Sequence, residues 1–213
     1  MNRLDKKNWT PTPRQLSERI ASCAALLAKE TDALVLLGQV DQPETGVLTA
    51  RVLEAIRDIS LANPKRLIFA DNRHSLRGFP PVIFKMNSAE LAALTGTRVS
   101  AELPEIVSAA TDLARKNGRP VFVTLAVRGI IGVSPAGESE HAPSLPVRGE
   151  IDIVGAGDAV TANLTSALAA GATMREALEL ANAAASIVVH QLGTTGTASV
   201  AQMRELLFDQ PAR

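Results

Sequence analysis

Two kinds of hydrophobic pattern follow one another along the chain. Short, continuous apolar runs, such as Ala-Leu-Val-Leu-Leu at 33–37, are typical of strands buried on both faces of a parallel sheet. Longer stretches carry an apolar residue at every third or fourth position, which predicts amphipathic helices. The strands predicted in this way are 33–37, 66–70, 82–84, 121–125 and 130–134, with an edge strand at 145–147. The predicted helices are 13–30, a helix capped by Thr49, a helix from Asn87 to a stop at Gly96, and 103–116, 156–170, 174–190 and 200–208.

This alternation predicts an α/β fold in which helices cover a mainly parallel sheet. The run at 130–134 is expected to pair antiparallel with the strand before it, and 135–144 is expected to be a polar loop. Ligands of such sheets collect beyond the carboxyl ends of the strands. Asp71, Asn87 and Gly155 follow predicted strands or precede predicted helices, so we expect them to lie along one rim of the sheet.

Composition narrows the classes of function. Lys plus Arg and Asp plus Glu number 22 each, and the chain has one Trp, five Phe and no Tyr, which argues against a nucleic-acid-binding surface. No apolar run is long enough to span a membrane and no signal-peptide pattern occurs, so a cytoplasmic protein is expected. Cys23, the single cysteine, lies in an apolar-periodic segment and is predicted to face the core. Without a repeat or linker, one domain spanning 1–213 is expected.

A loop of small residues runs directly into the predicted helix at 156–170. It reads Asp152-Ile153-Val154-Gly155-Ala156-Gly157-Asp158. The two glycines allow successive backbone amides to turn toward one point, and the helix N-terminus adds partial positive charge. Such a place binds phosphate or stabilises a developing anion, and a carboxylate beside it suits a general base. The alternative is an ordinary loop in which Asp158 caps the helix.

Three motifs, in order and spacing, give the chain a resemblance to the ribokinase-like (PfkB-type) carbohydrate kinases. The run 152–158 resembles the family's Asp-Thr-x-Gly-Ala-Gly-Asp signature, 85–90 (Lys-Met-Asn-Ser-Ala-Glu) resembles its Asn-x-x-Glu motif, and 123–129 (Val-Thr-Leu-Ala-Val-Arg-Gly) resembles its Thr-Leu-Gly-x-x-Gly strand and turn. More weakly, Gly-Val-Leu-Thr at 46–49 resembles the heptose kinase branch, which includes bifunctional lipopolysaccharide-precursor enzymes. The resemblance implies a ribokinase-like three-layer α/β/α sandwich that lacks the family's N-terminal lid portion.

The same resemblance implies phosphoryl transfer from ATP to a sugar or sugar phosphate. Asp158 would be the base that takes the proton from the substrate hydroxyl. The amides of Gly155, Ala156 and Gly157 would form an anion hole for the charge that develops on the transferred phosphoryl group.

Two ion sites are also implied by the resemblance. Asn87 and Glu90 would hold Mg²⁺ through water, because Mg²⁺ gives up its waters reluctantly. The residues themselves also fit a helix N-cap and its capping-box partner, and the two roles can coexist. Asp152, with backbone carbonyls near Val154, Val188 and Gly193, would hold a K⁺ ion.

The nucleotide half of the family site is represented as well. The residues implied there are Thr124, Ala126, Gly129, Asn182 and Gly193. The first three belong to a turn beside the ATP phosphates and ribose, Asn182 lies near the adenine, and the loop 190–197 closes over it. The alanines around Asn182 fit a closely packed helix stripe instead.

Ile153 and Ala126 depart from the family pattern, since they stand where threonine and glycine are usual. With the expected lack of a lid, they keep open a second hypothesis, a non-catalytic nucleotide-binding or regulatory remnant of the fold. A kinase acting on a nucleoside or vitamin is a third. The expected partners are a sugar or sugar phosphate and either a separately encoded N-terminal half or a second copy of the chain. No nucleic acid or membrane is expected as a partner.

Overall fold

The computed structural model describes residues 8–40, 42–100 and 102–208. Its strands are β1 (Ala33–Gly38), β2 (Leu67–Asn72), β3 (Ile83–Asn87), β4 (Val121–Thr124), β5 (Ile130–Val133) and β6 (Ser139–Ala142). Its helices are α1 (Arg14–Glu30), α2 (Ala50–Ala62), α3 (Ser88–Thr95), α4 (Leu103–Asn117), α5 (Ala156–Ala169), α6 (Met174–Val189) and α7 (Val200–Phe208), with a 3-10 turn at Ala126–Arg128. Among the residues described, no helix combines the length and apolar character that a membrane crossing requires.

The strands form one six-stranded sheet in the order β1-β2-β3-β4-β5-β6. Strands β1 to β4 are parallel to one another, and β5 is antiparallel to both β4 and β6. The mainly parallel sheet predicted from the apolar runs is therefore confirmed. In the register of β3 and β4, Asn87 lies opposite Thr124, so both residues stand at the same carboxyl rim.

Helices cover both faces of the sheet, which confirms the three-layer architecture. Alternate strand residues point to opposite faces, and Ile68 and Ala70 pack in a core with the buried side chains of α1 to α4. Phe69, between them, belongs to a second core with α5 and α6. There its ring stacks on that of Phe122, with 5.9 Å between centroids. Because β1 to β4 follow one another in the same direction along the sheet, their connections lie on one face, and α5 and α6 cover the other.

The predicted edge strand at 145–147 is wrong. The edge strand beside β5 is β6, inside the segment 135–144 that the sequence predicts to be a polar loop. A tight turn makes the β5–β6 hairpin: the Gly137 amide donates to the Ser134 carbonyl, and Gly137 has a φ of 94°. An edge strand is exposed to solvent on one side and therefore tolerates polar side chains. The polar sequence Ser-Glu-His-Ala gives no apolar run, so the sequence pattern did not indicate a strand here.

The prediction that Cys23 faces the core is also wrong, because this thiol is exposed. Helix α1 buries only Ser17, Ala21 and Ala28, which lie along one narrow stripe. Successive helical residues are about 100° apart, so Cys23, two positions after Ala21, points away from that stripe. The apolar face of α1 is wider than the part of it that neighbouring elements cover. Leu27, for example, is 49% exposed.

Candidate active site

The carboxyl ends of β2, β3 and β4 and the first turns of α5 meet at one rim. Thr161, in α5, has its hydroxyl 2.9 Å from Asp71 Oδ2 at the end of β2. Asp71 in turn accepts a hydrogen bond from Lys85 Nζ, on β3, at 2.8 Å. The structure therefore brings the glycine-rich loop and its helix onto the strand ends, as the α/β topology predicts.

The N-terminus of α5 is an open end of backbone donors. Gly155 is the N-cap residue, with a φ of 83°, and a Cβ built there would lie 2.9 Å from Thr195 Cγ2. Glycine is needed at this position both for its conformation and for the close approach of the neighbouring loop. The Ala156 amide donates to the Ile153 carbonyl at 3.2 Å. The amides of Gly155, Gly157 and Asp158 donate to no acceptor within the described part of the chain. They are available to an anion.

Asp158 lies in the first turn of α5 with its carboxylate exposed. It is not the N-cap, because Gly155 holds that position, so the interpretation of Asp158 as a capping residue is wrong. Its carboxylate accepts no hydrogen bond from the residues the structure describes. A carboxylate with its lone pairs free beside open amides can accept a proton, and the role of Asp158 as general base stays a prediction.

Asn87 and Glu90 form a capping box at the start of α3. Glu90 Oε2 accepts from the Asn87 amide at 2.7 Å, and Asn87 Oδ1 accepts from the Glu90 amide at 2.9 Å. The capping interpretation is therefore confirmed, and lone pairs remain on both groups. No cluster of three or more His, Cys, Asp or Glu side chains suited to a metal occurs in the described residues. This donor set fits an ion held mainly by water and phosphate oxygens, as Mg²⁺ usually is.

The turn after β4 is held by a glycine that cannot be replaced without movement of the backbone. Gly129 has a φ of 93°, and a Cβ built there would lie 2.0 Å from the Ala142 carbonyl oxygen. Thr124, at the end of β4, donates from its hydroxyl to the Met86 carbonyl at 3.4 Å. Ala126, in the 3-10 turn between them, has a φ of 52°. The roles of these residues at a nucleotide stay predictions.

Asn182 fastens helix α6 to the end of β6. Its side-chain amide donates to the carbonyls of Ala142 at 2.8 Å and Pro143 at 3.1 Å, and the residue is buried. Because the Ala142 carbonyl also lies against Gly129, Asn182 and the turn after β4 share one contact region. A place for Asn182 near the adenine stays a prediction. The closely packed stripe is confirmed by the burial of Ala181, Ala184 and Val188, and Ala185 is partly buried.

Asp152 ties two loops together. One carboxylate oxygen accepts from the Val154 amide at 3.0 Å, and the other accepts from the Gly193 amide at 3.2 Å. The loop that carries Gly193 is thereby held beside the glycine-rich loop, where Thr195 packs against Gly155. The role of Asp152 at a K⁺ ion stays a prediction.

Lys85 was not assigned a role from the sequence. The residue is 6% exposed and forms an ion pair with Asp71, whose side chain is 16% exposed. A Cβ built on Gly157 would lie 3.2 Å from Lys85 Nζ, so the ammonium lies against the first turn of α5. The signal was present in the sequence: Lys85 is a charge within the otherwise apolar run Val-Ile-Phe-Lys-Met at 82–86. A buried lysine is rare unless it is paired.

Replacing Ala126 with glycine is expected to stabilise the protein. A left-handed conformation costs an L-residue about 1–2 kcal/mol, and glycine avoids most of this at a loss of about 0.4–1 kcal/mol through the unfolded chain. We expect urea unfolding to give a gain of about 0.8 kcal/mol, the difference between the midpoints of these two ranges. Ala93→Gly, at an exposed position within α3, is the control and should lose about 1 kcal/mol. A loss in both variants would contradict the expectation.

Comparison with known families decides the classification. The pattern of the pfkB family of carbohydrate kinases matches residues 1–201. The chain belongs to the PfkB family of carbohydrate kinases. Among curated relatives of this PfkB chain, the bifunctional protein HldE of Bradyrhizobium sp. (strain ORS 278) is 32% identical over 209 residues, which are 97% of this chain and 41% of that protein. HldE of Paramagnetospirillum magneticum (strain ATCC 700264 / AMB-1) is 42% identical over 194 residues, 90% of this chain and 38% of that protein.

Solved structures share the fold of this PfkB chain. Arabidopsis thaliana ribokinase, solved in complex with ribose and ATP, superposes with a TM-score of 0.71 at 20% identity, over 93% of this chain and 60% of the ribokinase. Phosphofructokinase-2 from Escherichia coli in complex with potassium gives a TM-score of 0.66 at 23% identity, over 90% and 60% of the two chains. The predicted family and the ribokinase-like fold are confirmed. The chain spans about two fifths of the length of the HldE relatives.

Proposed function

We propose that this PfkB-family chain carries the nucleotide-binding and catalytic-base part of a kinase that transfers the γ-phosphoryl group of ATP to a hydroxyl of a sugar or sugar phosphate. The observation that carries the proposal is the open N-terminus of α5. There the free amides of Gly155 and Gly157 lie beside a carboxylate, Asp158, that has no partner among the described residues. Phosphoryl transfer depends on positioning and on stabilising charge, and this arrangement supplies both.

The proposed chemistry assigns one step to each part of this helix end. Asp158 accepts the proton of the substrate hydroxyl as its oxygen attacks the γ-phosphorus. The open amides of Gly155, Gly157 and Asp158 donate to the phosphoryl oxygens as negative charge develops on them. The Ala156 amide joins them once it releases the Ile153 carbonyl, to which it donates at 3.2 Å. The partial positive charge of the helix end acts in the same direction. The bond from phosphorus to the ADP oxygen breaks, and ADP leaves.

The remaining predicted residues are proposed to hold the nucleotide and its ions. Thr124, Ala126, Gly129, Asn182 and Gly193 would line the nucleotide site. Asn87 and Glu90 would hold the water shell of Mg²⁺, whose charge neutralises the phosphates, and Asp152 would bind K⁺. The free acceptors of the capping box support the magnesium assignment, because its hydrogen bonds leave Glu90 Oε1 and one lone pair of Asn87 Oδ1 unused.

The substrate and partners are proposals as well. Family membership supports a sugar or sugar phosphate as acceptor. The relatives and structural neighbours contain sequence that this chain does not match, which supports a further polypeptide segment, or a second copy of the chain, as a partner. We place residues 1–213 in a single kinase domain and the protein in the cytoplasm, with no nucleic-acid or membrane partner.

A calorimetric titration of the protein with Mg-ATP tests this proposal. Saturable binding is expected, and nucleotide at one hundred times its Kd should stabilise the fold by about 2.7 kcal/mol, seen as a rise in Tm. The same titration with ATP and EDTA is the control and should give weaker binding, because the phosphate charge is then not neutralised. A cooperatively folded protein that gives no heat and no rise in Tm would contradict the proposal.

The second candidate is a nucleotide-binding protein without catalysis. The observation in its favour is Ile153, which stands where the family signature has threonine and is 74% exposed beside the glycine-rich loop. Under this function Mg-ATP binds, but no sugar or sugar phosphate accelerates ADP release. Sugar-dependent ADP release by the full-length protein, or by its complex with a partner, decides between the two functions.

A further inference from the structure

We propose that Lys85 is a positioning residue for phosphoryl transfer. It is a buried cation that Asp71 holds against the first turn of α5, and its charge adds to the attraction that the backbone amides there exert on a bound anion. The inference rests on the proposed kinase function. It adds a charged group to a site that otherwise relies on backbone amides. It also gives Asp71 and Gly157 specific physical roles.

The geometry connects three elements through one ion pair. Lys85 Nζ, on β3, donates to Asp71 Oδ2, on β2, at 2.8 Å, and its side chain is 7% exposed. The same Asp71 oxygen lies 2.9 Å from the Thr161 hydroxyl, and that hydroxyl lies 3.0 Å from the Gly157 carbonyl. The carboxylate thus holds the cation on one side and the first turns of α5 on the other.

The positive charge of Lys85 indicates a function, because it stands where a cation is unfavourable for the fold alone. A cation beside a helix N-terminus is repelled by the helix dipole, and burying a lysine also costs solvation free energy. A well-packed apolar pair would join the same elements without either cost. Apart from its ion pair with Asp71, an ammonium at this place has a favourable interaction with α5 only when an anion is bound at the open amides. Asp71 offsets the burial of the charge, and the rigid ion pair keeps the ammonium from reaching water.

The contact with the Lys85 ammonium also explains why residue 157 is glycine. Glycine within a helix is less stable than alanine, and Gly157 does not have a positive φ that would require it. A Cβ there would lie 3.2 Å from Lys85 Nζ, tighter than most Cβ contacts, and Asp71 prevents the ammonium from moving away freely. We infer that Gly157 admits the ammonium to the helix turn. The backbone amides and the buried charge therefore act on one anion from two sides.

The test compares Lys85→Met, Asp71→Asn and the double variant by urea unfolding and by calorimetry with Mg-ATP and Mg-ADP. Both single variants should lose stability, because each leaves one buried charge unpaired, and the double variant should regain it. Lys85→Met and the double variant should bind Mg-ATP about tenfold more weakly than the wild type, as expected for losing a charge near the γ-phosphate. Binding of Mg-ADP should change less than twofold. Asp71→Asn keeps the cation and should keep the preference for Mg-ATP.

The outcomes separate this inference from the function on which it rests. A double variant that regains both stability and wild-type Mg-ATP affinity would show that the ion pair only joins the elements, and would overturn the role of Lys85. Equal losses for Mg-ATP and Mg-ADP would overturn it as well, since the charge would then not act at the γ-phosphate. A folded wild-type protein that binds no Mg-ATP would overturn the proposed function itself.

Discussion

Asp158→Asn is expected to lower phosphoryl transfer about 10²–10⁴-fold, the usual contribution of a positioned general base. Asparagine has nearly the same shape as aspartate, but its neutral amide cannot take the proton of the substrate hydroxyl. The Asp158 carboxylate is exposed and has no hydrogen-bond partner among the described residues. The change should therefore lower the free energy of unfolding by no more than about 1 kcal/mol, the interaction of a first-turn carboxylate with the helix dipole. Mg-ATP binding should persist, since the helix end and its amides remain.

The measurement is ADP release by the full-length protein, or its active complex, with a panel of sugars and sugar phosphates, paired with Mg-ATP calorimetry on the same samples. Glu150→Gln is the matched control, because Glu150 is an exposed carboxylate in the segment that leads into the glycine-rich loop. It should retain full turnover. Turnover by Asp158→Asn near the wild-type rate would remove Asp158 from the role of base. Loss of Mg-ATP binding would place Asp158 in binding instead.

The central strands were predictable from the sequence because burial on both faces leaves a continuous apolar run. The run at 33–37 corresponds to β1 and the run at 121–125 to β4. Helix ends were predictable where a local signal marks them: Gly96 and Gly118 end α3 and α4 in the left-handed conformation, as their places after apolar-periodic segments indicate. Each of these features depends on residues close together in sequence.

Features that depend on contacts between distant segments were not predictable in the same way. Strand β6 has a polar sequence and is a strand only because β5 pairs with it. Cys23 is exposed because the elements packed against α1 cover only part of its apolar face. Lys85 gains its place from Asp71, 14 positions away on another strand. The family motifs identified the loop at α5. The segment 85–90 that resembles the Asn-x-x-Glu motif begins at Lys85, but the motif itself does not include this residue and gave it no role.

Gly129→Ala is expected to be the most destabilising single substitution that we describe. At a φ of 93° and a ψ of −140°, the backbone of residue 129 lies in a region that is nearly exclusive to glycine, and a Cβ would lie 2.0 Å from the Ala142 carbonyl oxygen. That oxygen also accepts the hydrogen bond from Asn182, so it cannot move without loss of this bond. Strain, clash and a weakened hydrogen bond together should cost about 3–5 kcal/mol. This is a large part of the usual 5–15 kcal/mol of a domain.

Urea unfolding of Gly129→Ala beside Gly118→Ala measures this effect and separates its causes. Gly118 has a φ of 67° with nothing near its would-be Cβ. Alanine there should cost only the conformational strain of about 1–2 kcal/mol, less a gain of about 0.4–1 kcal/mol from the stiffer unfolded chain. The difference between the two variants reports the contact with Ala142. Equal losses in the two variants would show that the Ala142 carbonyl moves away from the new Cβ without a loss of stability. A larger loss in Gly129→Ala would show that the Ala142 carbonyl holds β6, α6 and the turn after β4 in fixed contact.

We propose that this turn lies beside the nucleotide. In the Gly129→Ala variant, Mg-ATP affinity should then fall together with stability, because the same carbonyl positions both Asn182 and the turn.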